Sequence, residues 1–266
     1  MQKFNALLLA AGIGSRLGHL TDFWPKCLMP INGKPLLALW LETLESLNIK
    51  NVFINTHYLS NHVTKFLHSN NYGMDINILQ EDKLHGTAGT ISKNFDNLKN
   101  SPLLLIHADN LCHCNFRDFL KFHEFERPSE SKITMMTFDS PSPKNCGIVK
   151  INELGIVKEF HEKVRNPPSN LANAAVYIIE PKVISWIRSV ENISDFSIEV
   201  LPQYIGEIAT WHNTTVHRDI GSPRELVLAQ SDLSKDLCKT PNNAWFTEFK
   251  TNPIHKLIAD LVEKRI

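Results

Sequence analysis

Neither sign of charge is in excess: Lys plus Arg number 28 and Asp plus Glu number 28 in 266 residues. Without a net field the chain is not drawn as a whole onto nucleic acid or a membrane surface, so a polyanionic ligand must be held by a local cluster. Long apolar runs are also missing, and none approaches the roughly 18 residues that cross a bilayer. The N-terminal stretch MQKFNALLLAAGIG resembles a signal core only superficially, because it contains Asn5 and its apolar part runs straight into a glycine loop. The expectation is a cytoplasmic protein with neither nucleic acid nor membrane as partner. Five cysteines (Cys27, Cys112, Cys114, Cys146, Cys238) are an odd number without framework spacing, which suits a reducing compartment. Cys112-His113-Cys114 has no second pair at zinc-ligand spacing, and the 12 histidines form no HExxH or HxH array. Internal repeats and low-complexity tracts are absent, and no hexapeptide period supports a C-terminal β-helix.

Two further absences narrow the N-terminal loop. Residues 7 to 37 read LLLAAGIGSRLGHLTDFWPKCLMPINGKPLL. Position 17 is Leu, so Gly12, Gly14 and Gly18 do not make the dinucleotide-binding GxGxxG. No GK[ST] follows, so the P-loop also fails. What remains is an apolar run over 7–11, the loop Gly12-Ile13-Gly14-Ser15-Arg16, Pro25-Lys26 about ten residues on, and Gly33-Lys34-Pro35 opening a helix. Glycines let backbone amides approach phosphate oxygens, and Arg and Lys supply charge-assisted donors, a combination suited to a nucleoside triphosphate. Taken alone, the glycine pair is equally compatible with an ordinary strand-to-helix turn.

The length allows one large α/β domain, or one with a small appendage. Strands are expected over 7–11, 52–55, 75–79 and 103–107, alternating with helices over 35–47, 60–69 (Ser60 as N-cap), 87–97 and 116–125. Such βαβ repetition implies a mostly parallel sheet. The second half reads as shorter strands over 133–138, 147–151, 156–160, 172–179, 208–212 and 215–217, with a hairpin connection at 152–155 and a helix over 181–190. Helical, amphipathic stretches follow over 225–233 and 253–262, joined by a polar connector at 240–243. The last of these helices could pack on the core or on a second subunit, which leaves a homodimer open.

Ligands of open α/β sheets bind outside the carboxyl ends of the strands, and the polar motifs fall at those ends. The first strand ends in Gly12-Ile13-Gly14-Ser15-Arg16, and the strand over 76–79 runs into Gln80-Glu81 and then His85-Gly86-Thr87-Ala88-Gly89. Asp109 follows the apolar run over 103–108, a natural seat for Mg²⁺, although a helix-capping role fits the same residue. Asp219 in His217-Arg218-Asp219-Ile220-Gly221-Ser222-Pro223 is a second candidate, in what is otherwise a common turn sequence.

This string of motifs, over roughly residues 4 to 225, resembles the signature of the sugar-nucleotidyltransferases, which join a nucleoside triphosphate to a sugar 1-phosphate. The resemblance implies an α/β fold of three layers, a mostly parallel Rossmann-like sheet with a β-rich sugar-binding part and a short helical C-terminus. It implies a catalytic domain over 1–222, divided into a nucleotide-binding half (1–130) and a sugar-phosphate half (131–222), followed by a helical extension over 223–266. Carried over by motif, Arg16, Lys26 and Asp109 are catalytic, and Asp109 and Asp219 hold Mg²⁺. Leu9, Ala10, Ala11, Gly12, Gly14, Ser15, Gln80, Glu81, Gly86 and Thr87 bind the nucleotide. Gly147, Glu162, Lys163 and Asn173 bind the sugar phosphate. Ala108 stands for the usual glycine before the first aspartate, which narrows the approach to the nucleotide by one methyl. Ser222, Val164 and Ala174 replace the usual Thr, Pro and Gly.

An acidic acceptor such as Glu81 favours guanine, with its N1–H and exocyclic amine, so GTP is the expected donor. Lys144-Asn145-Cys146-Gly147, Phe160-His161-Glu162-Lys163 and the segment 166–173 look most like guanylyltransferases of manno-configured sugars. D-glycero-D-manno-heptose 1-phosphate is favoured as acceptor; mannose 1-phosphate, or another hexose 1-phosphate with UTP, dTTP or CTP, is the alternative. A glycosyltransferase of similar fold needs a DxD that Asp109-Asn110-Leu111 lacks. An inactive regulatory homologue is expected to lose Arg16, Lys26 or an aspartate, and all are present.

Overall fold

The computed structural model describes residues 3–264, so the outermost two residues of the expected 1–222 and 223–266 segments lie outside the described residues. The fold is α/β, a mixed sheet with flanking helices and a helical C-terminus. Its contacts group into two compact units that interleave along the chain. One contains Leu84–Ile106 and Cys114–Thr215 with the N-terminal residues up to Leu7; the other contains Leu8–Lys83, His107–His113 and the chain from Val216 onward. The C-terminal helices fall in the same unit as Leu8–Lys83.

In the first unit the ladders are largely antiparallel. Leu171–Ile179 pairs with Ile133–Asp139 and, through Val176↔Ile106, with the strand that begins at Leu103. Ile208–His212 adds in parallel to Ile133–Asp139. Gly147–Ile151 and Val157–Glu162 form the expected hairpin, closed by Gly155 at φ 71° whose N–H donates to the Asn152 carbonyl. Only a residue without a Cβ takes that left-handed turn at no cost. Tyr177, Phe196 and Phe119 are fully buried in this unit.

The second unit holds the parallel pair Asn51–Thr56 and Asp75–Gln80, in register from Asn51↔Asp75 to Thr56↔Gln80. The helix Leu36–Ser46 buries Leu36, Leu37, Trp40, Leu41 and Leu44, the broad face that its 3.6-residue period predicts, together with Ala38 beside it. Its Trp40 Nε1 donates to the Asn110 carbonyl at 2.9 Å. A tight hairpin, Pro30–Ile31 with Lys34–Pro35, precedes it. The helix Ala244–Lys250 lies beyond the expected connector; Asn243 caps it, accepting from Phe246 N–H. Trp245, Phe246 and Phe249 are buried, with ring contacts to Phe66 and Trp24. Each such side chain contributes about 2 kcal/mol of apolar burial, so an element too short to show a period is held by packing.

One cap expectation is corrected. Leu59, in the left-handed region at φ 51°, precedes the helix Ser60–His68, and no side chain caps it. Ser60 is already inside the first turn. No helix among the described residues is long and apolar enough to cross a membrane.

Candidate active site

The first strand, Asn5–Leu9, is buried and apolar after Asn5, and its extension through Ala10 and Ala11 is buried too. Ala10 N–H donates to Asn55 Oδ1 at 2.7 Å. The glycine loop then turns on Gly14 at φ 71°, where a Cβ would stand 3.1 Å from both Lys26 Cβ and Thr21 Cγ2. Gly14 is therefore required twice over, by its backbone and by its neighbours. Its carbonyl accepts from Leu17 N–H and from the Thr21 hydroxyl, which also bonds the Gly18 carbonyl. Above Gly12 a Cβ would meet nothing within 4 Å, so the protein itself does not demand glycine there. Ser15 and Arg16 are exposed.

Four charges converge in this unit. Lys26, only 4% exposed, donates through Nζ to Asp109 Oδ2 at 2.6 Å and to Asp219 Oδ1 at 3.0 Å. Arg16 Nη2 donates to the other oxygen of Asp219 at 3.1 Å. Gly221 makes this fork possible: a Cβ there would lie 2.5 Å from Arg16 Nη2 and 2.7 Å from Asp219 Oδ2. Burial opposes the charge of Lys26, but Asp109 and Asp219 outweigh it and raise its pKa. Burial likewise works to raise Asp109, yet the ammonium beside it holds the carboxyl below its ordinary value. The site thus keeps both groups ionised.

A short strand pair, of which only the second strand is expected from the sequence, brings the aspartates together. Asn110–His113 pairs antiparallel with Val216–Asp219, in register Asn110↔Asp219 and His113↔Val216. Ile220 N–H donates to the Asp109 carbonyl at 3.4 Å, and Trp40 fixes the Asn110 carbonyl. Two carboxylates facing one cation form an all-oxygen donor set, the kind Mg²⁺ takes with one or two protein ligands and phosphate oxygens for the remainder. No cluster of three or more His, Cys, Asp and Glu side chains at metal-holding distance occurs among the described residues.

The base-reading candidates in this unit are Gln80, exposed at the end of its strand, and Glu81, 6% exposed. Glu81 N–H donates to the Thr56 carbonyl at 2.8 Å, and its carboxylate accepts from Asn55 Nδ2 at 3.0 Å.

The other candidates lie in the first unit. Gly86, at φ 80°, sits against Ser194, whose Oγ and carbonyl a Cβ would approach to 2.4 and 2.5 Å. Thr87 Oγ1 accepts from Phe196 N–H at 2.7 Å. Gly147 faces Glu162 across the hairpin ladder, and a Cβ on it would come within 2.6 Å of the Phe160 ring and 2.7 Å of Glu162 Oε2. Glu162 Oε1 forms an ion pair with Lys163 Nζ at 3.2 Å, and Lys163 itself occupies the left-handed region at φ 48°. Asn173 Oδ1 accepts from Ala175 N–H, and its Nδ2 donates to the Tyr177 hydroxyl at 2.6 Å. Within this motif Ala175 adopts a left-handed backbone, at φ 53°, inside the bulge between Asn173 and Tyr177.

Sequence reasoning missed Asn55, Thr21 and Gly221 as supports. The first two sit in unremarkable strand and loop contexts, and Gly221 reads only as part of a turn.

The sequence profile described as nucleotidyl transferase matches residues 5–236. A mannose-1-phosphate guanylyltransferase of Mycobacterium tuberculosis is 27% identical over 244 residues, covering 90% of this chain and 67% of its own length. The chain spans no more than about two thirds of the relatives it matches, 61% in the case of one from Drosophila melanogaster. Among solved structures, a Bacillus anthracis protein described as a glucose-1-phosphate thymidylyltransferase, in complex with a sucrose, superposes with a TM-score of 0.79 at 21% identity, over 92% of this chain and 99% of that one. HddC from Yersinia pseudotuberculosis, complexed with GMP-PN, gives a TM-score of 0.71 at 22% identity, over 86% and 98%.

Proposed function

Because the chain belongs to the nucleotidyl transferase family, we propose that it transfers GMP from GTP to a manno-configured sugar 1-phosphate and releases pyrophosphate. The observation that carries this reading is the convergence of Lys26 and Arg16 on Asp109 and Asp219 in the unit that also holds the open loop at Gly12. The M. tuberculosis relative and the neighbour complexed with GMP-PN support the guanine nucleotide. The sequence around Lys144–Gly147 and 166–173 favours D-glycero-D-manno-heptose 1-phosphate as acceptor. Mannose 1-phosphate is the second reading, favoured by the relatives' own substrate.

An oxygen of the sugar 1-phosphate attacks the α-phosphorus, the new O–P bond forms, and the bond to the β-phosphate oxygen breaks with its electron pair leaving on pyrophosphate. Both reactants are anions, so catalysis is positioning and charge neutralisation, and the acceptor, already ionised, needs no base. Lys26 neutralises the α-phosphate, and the exposed Arg16 swings from Asp219 to the leaving pyrophosphate. Lys163 orients the acceptor phosphate, with Glu162 and Asn173 on the sugar hydroxyls. Asp109 and Asp219 would hold Mg²⁺, whose chemistry is to screen the phosphate oxygens.

The test is pyrophosphate release with Mg²⁺, each of the four NTPs and a panel of sugar 1-phosphates. Turnover is expected with GTP and the heptose substrate first, mannose 1-phosphate second. Release with no pair, or with UTP and glucose 1-phosphate above all, defeats the proposal.

A further inference from the structure

We infer that Asn55 is the positioning residue through which the phosphate loop and the base-reading carboxylate are held in one arrangement, and hence that it sets base selectivity. The inference rests on the guanylyltransferase reading and deepens it.

Asn55 lies in the strand Asn51–Thr56, is 4% exposed, and forms two bonds that reach opposite parts of the proposed nucleotide site. Its Oδ1 accepts from the Ala10 N–H at 2.7 Å, at the root of the glycine loop, and its Nδ2 donates to Glu81 at 3.0 Å. A backbone amide can only donate and an ionised carboxylate can only accept, so the two partners together fix which end of the side-chain amide faces which. Aspartate would oppose one carboxylate with another, and an aliphatic residue would leave both partners without these bonds. Glu81 is further clamped through its backbone, its N–H on the Thr56 carbonyl and its carbonyl on His57 Nδ1, both at 2.8 Å. The backbone of Glu81 is thus placed by strand pairing, while Asn55 restrains its carboxylate. Because Asn55 is neutral, it orients the carboxylate without cancelling the charge that would accept from guanine N1–H and the exocyclic amine. A hydrogen bond lost beside a buried charge is strongly felt, so selectivity depends on that orientation.

The test compares GTP with ATP as donor in wild type, Asn55→Asp and the exchange variant Asn55→Asp/Glu81→Gln, together with binding of inorganic tripolyphosphate, which has no base. Asn55→Asp is expected to lower the GTP-over-ATP ratio of kcat/KM about tenfold or more, chiefly through the KM for GTP, with kcat within a few-fold and tripolyphosphate affinity unchanged. The exchange variant restores one donor facing one acceptor, with the amide now at position 81 and the carboxylate at position 55, and is expected to recover part of the selectivity. If Asn55→Asp does not fold, Asn55→Ser carries the same expectation, since it can accept but is too short to reach Glu81. A selective wild type whose variants stay equally selective, or lose GTP and tripolyphosphate affinity together, overturns the inference alone. A wild type that uses GTP and ATP equally overturns the functional reading, and the inference with it.

Discussion

Lys26 shows how one side chain can serve two purposes. In the protein without ligand it stands between two carboxylates that would otherwise repel each other, and in the proposed reaction the same ammonium faces phosphate. Its removal should therefore separate stability from catalysis in a way that loss of Arg16, 69% exposed at its side chain, does not. Arg16→Ala is expected to cut kcat about 10²-fold, the scale of one preorganised charge donor, with Tm almost unchanged, because an exposed ion pair contributes little. Lys26→Ala should cost at least as much in kcat and also destabilise the fold by about 1–3 kcal/mol, discounted for the partial exposure of both aspartates. Single-turnover kinetics beside thermal melts check both, and wild-type-like turnover in the two variants excludes the assignment. Gly14 and Gly221 belong to the same scale. At Gly14 the left-handed φ and the close Lys26 and Thr21 side chains both resist a Cβ, whereas a Cβ at Gly221 would displace the exposed Arg16 guanidinium and the Asp219 carboxylate that it meets.

Ala175 makes the corresponding argument for an element. A strand with a bulge places Asn173 between the Ala175 N–H and the Tyr177 hydroxyl, and the cost is an alanine in the left-handed region. That conformation costs about 1–2 kcal/mol, partly offset when glycine adds freedom to the unfolded chain. Ala175→Gly is expected to raise stability by about 0.5–1 kcal/mol without moving Asn173, measured by denaturant midpoint; a lower midpoint speaks against strain there. The bulge was invisible in the sequence, because residues 172–179 read ANAAVYII, without an alternation whose phase a bulge would shift. The strands over 103–107, 147–151 and 208–212 were legible because an apolar run or clear alternation defines each, and they occupy those very residues. The pair Asn110–His113 and Val216–Asp219 was legible only in part: its second strand showed over 215–217, but the first has no pattern of its own. The site was legible residue by residue through motifs, while the contacts that place those residues (Asn55, Thr21, Trp40) carry no local signal.

Across the whole molecule, the titrating groups define a window of stability. His62, His123, His217 and His255 are all held below their ordinary pKa by loss of water around the ring, His217 down to about 4. The unfolded chain takes up those protons near pH 6.5 while the folded one refuses them, so their contribution is present above that pH and is lost as pH falls below it. Asp109 and Glu180, lowered, add stability above about pH 4 that disappears in stronger acid. Lys26, raised, contributes below about pH 10.5 and loses that contribution as pH climbs through its folded value. Thermal melts of the ligand-free protein should therefore be flat from about pH 7 to 9 and fall progressively below about 6.5. A maximum near about pH 5 contradicts the buried neutral histidines.

The short ladder between Asn110–His113 and Val216–Asp219 also sets an order of events in time. Joining residues about a hundred apart carries a large loop-closure entropy, and contacts of such separation form late. On a ribosome, Lys26 and Asp109 emerge long before Asp219, so a nascent chain holds the nucleotide loop with only one of its two aspartates. Affinity for the proposed nucleotide would then arise as a final step of folding, after the local helices are in place, and a truncated product ending before residue 216 would lack it.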